Sequence, residues 1–381
     1  MEHQAALGKE DNAEVLYVAF ELSLKKWKLG ISDGRAAKPR EVEIVAGNLE
    51  SLKLEIEKAK KRFGMAAGAK VRSCYEAGRE GFWLHRALEQ MGIENLVVEP
   101  ASIEVNRRQR RAKTDRMDVG KLVRQLLRYW RGEKDAWSVV RVPSREAEQE
   151  RQLHRDLEVL KKERGQHRTR IQSLLFTQGI AEKVGPGFLQ RLEQMRIWSQ
   201  EPVPAAMKAR IRREYERLQL VEVEIEELKT EQKKQLRAKT ASASVAKVKL
   251  LQQLVGIGMT SSWVFVMELF GWRKFKNRRE VAGAVGITPT PYNSGNSVRE
   301  QGISRSGNHR ARKMAVEIAW SWLRLQPTSK LSQWYKNRFA GGGPRMRRVG
   351  IVAMARKLVI DLWRFVEFGT IPEGAQLKGQ P

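Results

Sequence analysis

The sequence predicts an α/β domain over residues 12–143, a long helical coiled-coil segment over 144–240 and a mostly α-helical domain over 247–370. Three patterns predict this. Apolar runs of strand length open the chain and then alternate with runs of helical spacing; a charged stretch carries two narrow leucine-rich stripes; the last third is helical with two glycine-rich interruptions.

The first run, residues 15–22 (VLYVAFEL), is followed by 27–32 (WKLGIS) and 41–45 (EVEIV), which together read as strands of an antiparallel meander. The period then changes. Residues 52–63 read as a helix, 71–75 as a strand, 81–91 as a helix and 95–98 as a short strand closed by Pro100. Three strands followed by alternating helix and strand describe a mixed sheet.

Between residues 144 and 239, Leu153, Leu157, Leu160, Ile171, Leu174 and Leu175 keep helical spacing. After the break at Gly185-Pro186-Gly187 a second stripe runs through Ile211, Tyr215, Leu218, Val221, Ile225 and Leu228. These stripes predict a helical hairpin that either packs on itself or joins protomers as a coiled-coil arm. Residues 241–246 (ASASVA) read as a hinge, residues 286–307 and Gly341-Gly342-Gly343 as loops, and the closing EGAQLKGQP as a frayed tail.

Lysine and arginine number 72 against 44 acidic residues, a formal charge of +28, so the natural partner is a polyanion. The basic residues spread over the whole chain, including 107–111 (RRQRR) and the apparent loop 344–348 (PRMRR), instead of lining one amphipathic helix. That favours nucleic acid over a membrane face. Arg107, Arg108, Arg110, Arg111, Lys113, Arg116, Arg305, Arg310 and Arg312 are the candidate contacts to phosphate.

Cys74 is the only cysteine, which excludes a disulfide framework and a thiolate zinc site. The five histidines, His3, His85, His154, His167 and His309, show no metal-ligand spacing. Any metal is therefore expected on carboxylates, as a hard ion such as Mg²⁺. No apolar stretch approaches the roughly 18 residues of a membrane span, and the polar N-terminus does not read as a signal peptide, so a cytoplasmic protein without a membrane partner is expected.

Four acids occupy telling places. Glu21 lies at the end of the first strand, Glu76 directly follows the strand 71–75, and Asp115 and Asp118 stand three apart in KTDRMD at the start of an apparent helix running through Leu127. Carboxylates at strand ends, with a further pair on a helix, are how an RNase H-like fold gathers ligands for one or two Mg²⁺ ions that clamp a scissile phosphate. Each acid alone also suits a solvated strand end or a helix dipole, and Lys113, Arg116 and Lys121 suit either phosphate contact or salt bridges.

The last third offers two further signals. Val255-Gly256-Ile257-Gly258 precedes an apolar helix, a turn that presents backbone N–H groups to phosphate or simply opens the helix. Residues 286–312 (GITPTPYNSGNSVREQGISRSGNHRAR) are rich in hydroxyls, glycine and arginine, as suits a nucleophilic serine attacking phosphorus or a plain phosphate-binding loop.

In their order along the chain these motifs resemble the DEDD-type insertion-sequence transposases, bridge-RNA-guided serine recombinases with an N-terminal RuvC-like domain and a C-terminal transposase domain. The residues carrying the resemblance are Glu21, Glu76-Ala77, Lys113-Thr114-Asp115 with Asp118, Gly256-Ile257-Gly258, Gly286-Ile287-Thr288-Pro289, Ser294-Gly295 and Ile303-Ser304 with Gly307-Asn308. The family usually has aspartate where this chain has Glu21. The resemblance implies Mg²⁺ on Glu21, Glu76, Asp115 and Asp118, and Ser294 as a nucleophile forming a phosphoserine link, with Tyr292, Ser297 and Ser304 as alternatives. It also implies donor and target DNA as partners, a structured guide RNA whose base pairing sets sequence choice, active sites shared between protomers of a homo-dimer or homo-tetramer, and a bacterial, nucleoid-associated location. Two rival readings remain open: a Mg²⁺-dependent junction-resolving nuclease without a covalent intermediate, and a noncatalytic nucleic-acid-binding protein.

Overall fold

The computed structural model describes residues 14–103, 119–294 and 297–379, and for residues 101, 291–294 and 297–301 it describes the backbone alone. The chain divides into two compact units, Met1–Val142 and Pro143–Pro381. The helical segment and the C-terminal region fall in the same unit.

The first unit is built on β1 (Val15–Leu22), β2 (Lys26–Ser32), β3 (Arg40–Val45), α1 (Leu49–Arg62), β4 (Lys70–Glu76), α2 (Trp83–Gln90), β5 (Glu94–Val98) and α3 (Val119–Trp130). The sheet order is β3-β2-β1-β4-β5, with β1, β2 and β3 antiparallel and β1, β4 and β5 parallel. The predicted meander and mixed sheet are therefore present, although Glu76 is the last residue of β4 rather than the first beyond it.

Alternation along β1 explains why the sheet is covered on both faces. Leu16, Val18 and Phe20 pack with Leu52, Ile56, Leu84 and Leu88 from α1 and α2, while Ala19 packs with Val119, Leu122, Val123 and Leu126 from α3. Cys74 is fully buried on the α3 side, and burial raises its thiol pKa, so it is a packing residue.

The second unit begins with α4 (Arg145–Glu150), α5 (Gln152–Phe176), α6 (Phe188–Gln194) and α7 (Ala205–Arg237). Both predicted stripes turn inward: Ile171, Leu175, Ile211 and Leu218 form one apolar layer between α5 and α7, and Leu157, Val221 and Ile225 form another. There follow α8 (Ala243–Gln252), α9 (Met259–Phe265), α10 (Arg278–Val285), β6 (Pro289–Ser294), β7 (Ser297–Ile303), α11 (His309–Leu325), α12 (Lys330–Tyr335) and α13 (Pro344–Phe368). Their core centres on Trp263, Phe265, Trp322, Met354, Leu358 and Leu362.

Four expectations about loops are corrected. Most of the expected hinge at 241–246 is the start of α8, because the Ser242 side chain accepts from Val245 N and caps it while Val245 and Val248 are buried. The glycine-rich stretch after α10 is largely an antiparallel hairpin, in which Tyr292 pairs with Arg299 and Ser294 with Ser297. Residues 344–348 are not a loop but the first turns of α13, with Gly343 as N-cap and Pro344 in the first turn, where a missing N–H costs nothing. The tail is docked as far as Lys378: Val255 N donates to Gln376 O, Gln376 N to Gln326 Oε1 and Lys378 N to Gln253 O, and Leu377 packs on the core. Among the described residues no helix is long and apolar enough to cross a membrane.

Candidate functional site

In the first unit the register of two strands decides where the carboxylates go. Ala19 pairs with Cys74 and Phe20 with Tyr75 in the parallel β1–β4 ladder, so Glu21 and Glu76 come next on neighbouring strands, at their carboxyl ends. Both follow the alternation of Ala19 and Cys74, on the face that α3 covers. They line one open cavity of about 460 Å³ together with Ser23, Arg79 and Glu80. Glu80 is engaged by Arg79 at 3.1 Å. Partial burial pushes the Glu76 carboxyl above its ordinary range.

The direction of α3 is fixed by what it touches. A Cβ on Gly30 would lie 2.9 Å from Val123 Cγ2 and 3.1 Å from Val119 Cγ2, so the helix starts pressed against the middle of β2. Further along, Leu127 packs over Gly34, and Arg131 Nη2 donates to Gly34 O at 2.7 Å. Because β2 is antiparallel to β1, α3 begins on the side of the sheet where Glu21 and Glu76 stand and runs away from them. Gly30 pairs with Ala19, two residues before Glu21, an offset of about 7 Å along the strand.

The predicted ligands Asp115 and Asp118, and the predicted phosphate contacts Arg107, Arg108, Arg110, Arg111, Lys113 and Arg116, lie outside the described residues. Among the described residues no three His, Cys, Asp or Glu side chains stand together as a metal site, and Glu21 and Glu76 stand as a pair of carboxylates. The donor set itself fits a hard cation: two carboxylates open to one cavity, one of them destabilised as a charge by partial burial.

In the second unit Ser294 ends β6, its backbone paired with Ser297 across the tip of the hairpin. The feet of that hairpin are tightly joined. Ser304 N donates to Thr288 O at 2.9 Å, Arg305 N to Gly286 O at 3.1 Å and Asn308 N to Ala284 O at 2.8 Å. Gly286 has φ +72°, and a Cβ there would meet Ser306 O at 2.0 Å, so only glycine fits. Thr288 Oγ1 donates to Ser304 Oγ at 3.2 Å. Of the three predicted arginine contacts here, Arg305 is exposed, Arg310 faces Glu158, and Arg312 Nη1 donates to Val285 O and Arg305 O.

Sequence reasoning missed a buried ionic cluster beneath this hairpin. Glu268 is fully buried in a π-helical turn, Val266–Phe270, that continues α9. Its Oε1 accepts from His154 Nε2 at 2.9 Å and Arg155 Nε at 2.8 Å; its Oε2 accepts from Arg155 Nη2 at 2.9 Å and Asn308 Nδ2 at 2.7 Å. Burial alone would raise the carboxyl pKa, but the hydrogen bonds and charges of His154 and Arg155 hold it far below the usual range. The available signal was one acid inside the apolar run WVFVMELF. Beside the cluster, a cleft of about 650 Å³ is lined by Lys161, Lys162, His309, Arg310 and Lys313.

Residues 248–333, from α8 into α12, match the family model described as Transposase IS116/IS110/IS902 family. A protein of Sinorhizobium fredii named "Putative transposase y4rJ" is 38% identical over 375 residues, covering 95% of this chain and 94% of its own length. The transposase for insertion sequence element IS1328 of Yersinia enterocolitica is 23% identical over 221 residues, 58% of this chain and 63% of its own.

Proposed function

Because this chain belongs to the IS116/IS110/IS902 family of transposases, we propose that it cleaves and rejoins DNA as the recombinase of an insertion sequence, with carboxylates as Mg²⁺ ligands and Ser294 as nucleophile. The observation that carries the reading is the convergence of Glu21 and Glu76 on one cavity at the carboxyl ends of adjacent parallel strands. In open α/β sheets ligands bind outside those ends. Three antiparallel strands continued by two parallel ones also suit the RuvC-like, RNase H-like architecture that the sequence resembles.

Glu21, Glu76, Asp115 and Asp118 are the proposed ligands. Asp118 is joined directly to Val119, whose side chain packs over Gly30, and Gly30 pairs with Ala19 two residues before Glu21; that connectivity supports including it. Bound Mg²⁺ would supply electrostatic stabilisation of the charge that builds on the phosphate as its ester bond breaks. Ser294 then forms the new phosphoester: its Oγ bonds to phosphorus, the bond to one bridging ester oxygen breaks, and the proton lost by the serine is balanced by the one gained by the released strand end. Rejoining runs the same exchange with a different strand end.

The charge of +28 suits a chain that holds donor DNA, target DNA and a structured guide RNA at once. Base pairing by that RNA would set sequence choice. A homo-dimer or homo-tetramer would bring carboxylates and serine together between protomers.

The test is strand cleavage on element-end DNA with the cognate RNA and Mg²⁺, comparing Glu76→Gln and Ser294→Ala with the wild type. Both variants should lose cleavage. Cleavage that survives Ser294→Ala would instead favour a metal-dependent nuclease, and full activity in Glu76→Gln would remove the metal site.

A further inference from the structure

We infer that Glu268 is a positioning residue for the serine hairpin, acting through Asn308 to fix the feet from which β6 and β7 project. The inference rests on the reading of Ser294 as nucleophile.

A fully buried carboxylate is a costly way to fill space, and well-packed apolar residues often stabilise a fold as much or more. Glu268 is nevertheless satisfied on both oxygens, by four donors from two directions. Three of them come from His154 and Arg155 at the start of α5. The fourth is the side-chain amide of Asn308, and Asn308 is the junction of the hairpin base.

Every polar atom of the Asn308 side chain is committed. Its Oδ1 accepts from Ala311 N at 3.0 Å and caps α11, and its Nδ2 donates to Glu268. Its backbone N donates to Ala284 O at the end of α10. One residue earlier, Gly307 has φ +113°, and a Cβ there would lie 2.6 Å from Ala284 O. The segment leaving β7 is thus pressed against the segment entering β6, with no side chain between them. Ser304 and Arg305 donate their backbone N–H groups to Thr288 and Gly286 across the same seam. Glu268 holds this seam in place from below and ties it to α5.

A positioning role predicts more than stability: the rate of the chemical step should follow the integrity of the Glu268–Asn308 bond while DNA affinity does not. Asn308→Asp keeps a good helix cap but exchanges the donor for a carboxylate facing Glu268. Glu268→Gln combined with Asn308→Asp restores an amide–carboxylate hydrogen bond with donor and acceptor exchanged, at unchanged net charge, while the new amide nitrogen gives up the bond that Arg155 Nη2 donated to the carboxylate.

The experiment measures covalent protein–DNA adduct formation at saturating DNA, DNA affinity, thermal midpoint, and amide hydrogen exchange at Ser304, Arg305 and Asn308, in the full chain with Ser294→Ala as control. In Asn308→Asp the adduct rate should fall about tenfold or more, since small misplacements are costly, with affinity nearly unchanged and faster exchange at the three amides. The double exchange should recover part of the rate. Wild-type adduct rate and exchange in Asn308→Asp overturn the inference and leave the serine reading intact. A loss of rate that the double exchange does not restore, in protein whose thermal midpoint matches the wild type, also overturns it. A wild-type protein that forms no adduct, or forms one that Ser294→Ala retains, overturns the serine reading itself.

Discussion

Glu21 and Glu76 stand one register step beyond the Phe20–Tyr75 pair of two parallel strands, and both open onto the same cavity. A carboxylate pair at the carboxyl ends of two inner strands can share a cation, and its behaviour on substitution follows from that.

Glu21→Gln and Glu76→Gln should each weaken Mg²⁺ binding and strand cleavage by about 100-fold or more, since even groups that only support a metal ligand are worth 10- to 100-fold. Glu21→Asp should keep most of the activity because it keeps the carboxylate. Burial disfavours the charged form of Glu76 in the folded protein. Removing that charge should therefore leave the thermal midpoint at neutral pH unchanged or higher. A lower midpoint in Glu76→Gln would show that the carboxylate serves the fold rather than the site.

Gly30→Ala tests how α3 is seated. The added Cβ meets Val123 and Val119 at 2.9–3.3 Å, closer than packed side chains tolerate without movement. Overpacking of this kind costs about 1–3 kcal/mol. Urea unfolding should show that loss, and Mg²⁺ affinity should fall with it because the start of α3 shifts. Unchanged stability and affinity would mean that the helix does not fix the geometry of the carboxylate side.

Glu268→Ala should destabilise the second unit by about 3–5 kcal/mol, because it leaves the Arg155 guanidinium half-buried without its counter-charge. Denaturant unfolding followed by tryptophan fluorescence reads this. A loss below about 1 kcal/mol, the scale of an exposed pair, would mean that the cluster is far more solvated than its burial indicates.

The parts that sequence revealed and the parts that it hid differ in how local their causes are. β1 and β4 were legible because alternation and β-branched residues act within a strand, and Glu21 follows directly from where that alternation ends. The leucine stripes of α5 and α7 were legible for the same reason. Ser242 was not: a run of small residues reads as a hinge until the burial of Val245 and Val248 is known. The hairpin carrying Ser294 depends on β6 pairing with β7, which composition does not encode. Glu268 was hidden most deeply, because its partners lie 113 and 114 positions earlier and 40 positions later. The docked tail likewise depends on Gln326, 50 positions upstream of Gln376.

Acid should loosen the helical arm. Glu214 in α7 is hydrogen-bonded by His167 and Arg170 of α5 and by Arg217. Burial alone would raise its pKa, but these partners together hold it at about 2 against an ordinary 4.5. A carboxyl depressed by folding contributes stability that is complete above its unfolded pKa and is lost as pH falls through its folded one. The thermal midpoint should therefore decline between about pH 4.5 and 2, and Glu214→Gln should lower the midpoint at pH 7 while flattening that decline. An equally steep decline in the variant would assign the acid sensitivity to other groups.

The most direct measurement is a denaturing gel of the reaction with element-end DNA, cognate RNA and Mg²⁺, followed by mass spectrometry of any protein-linked DNA end. A covalent adduct mapped to Ser294, absent when Mg²⁺ is chelated and absent in Glu76→Gln, is the predicted result. Cleaved DNA with no protein attached, or an adduct on a different side chain, would contradict it.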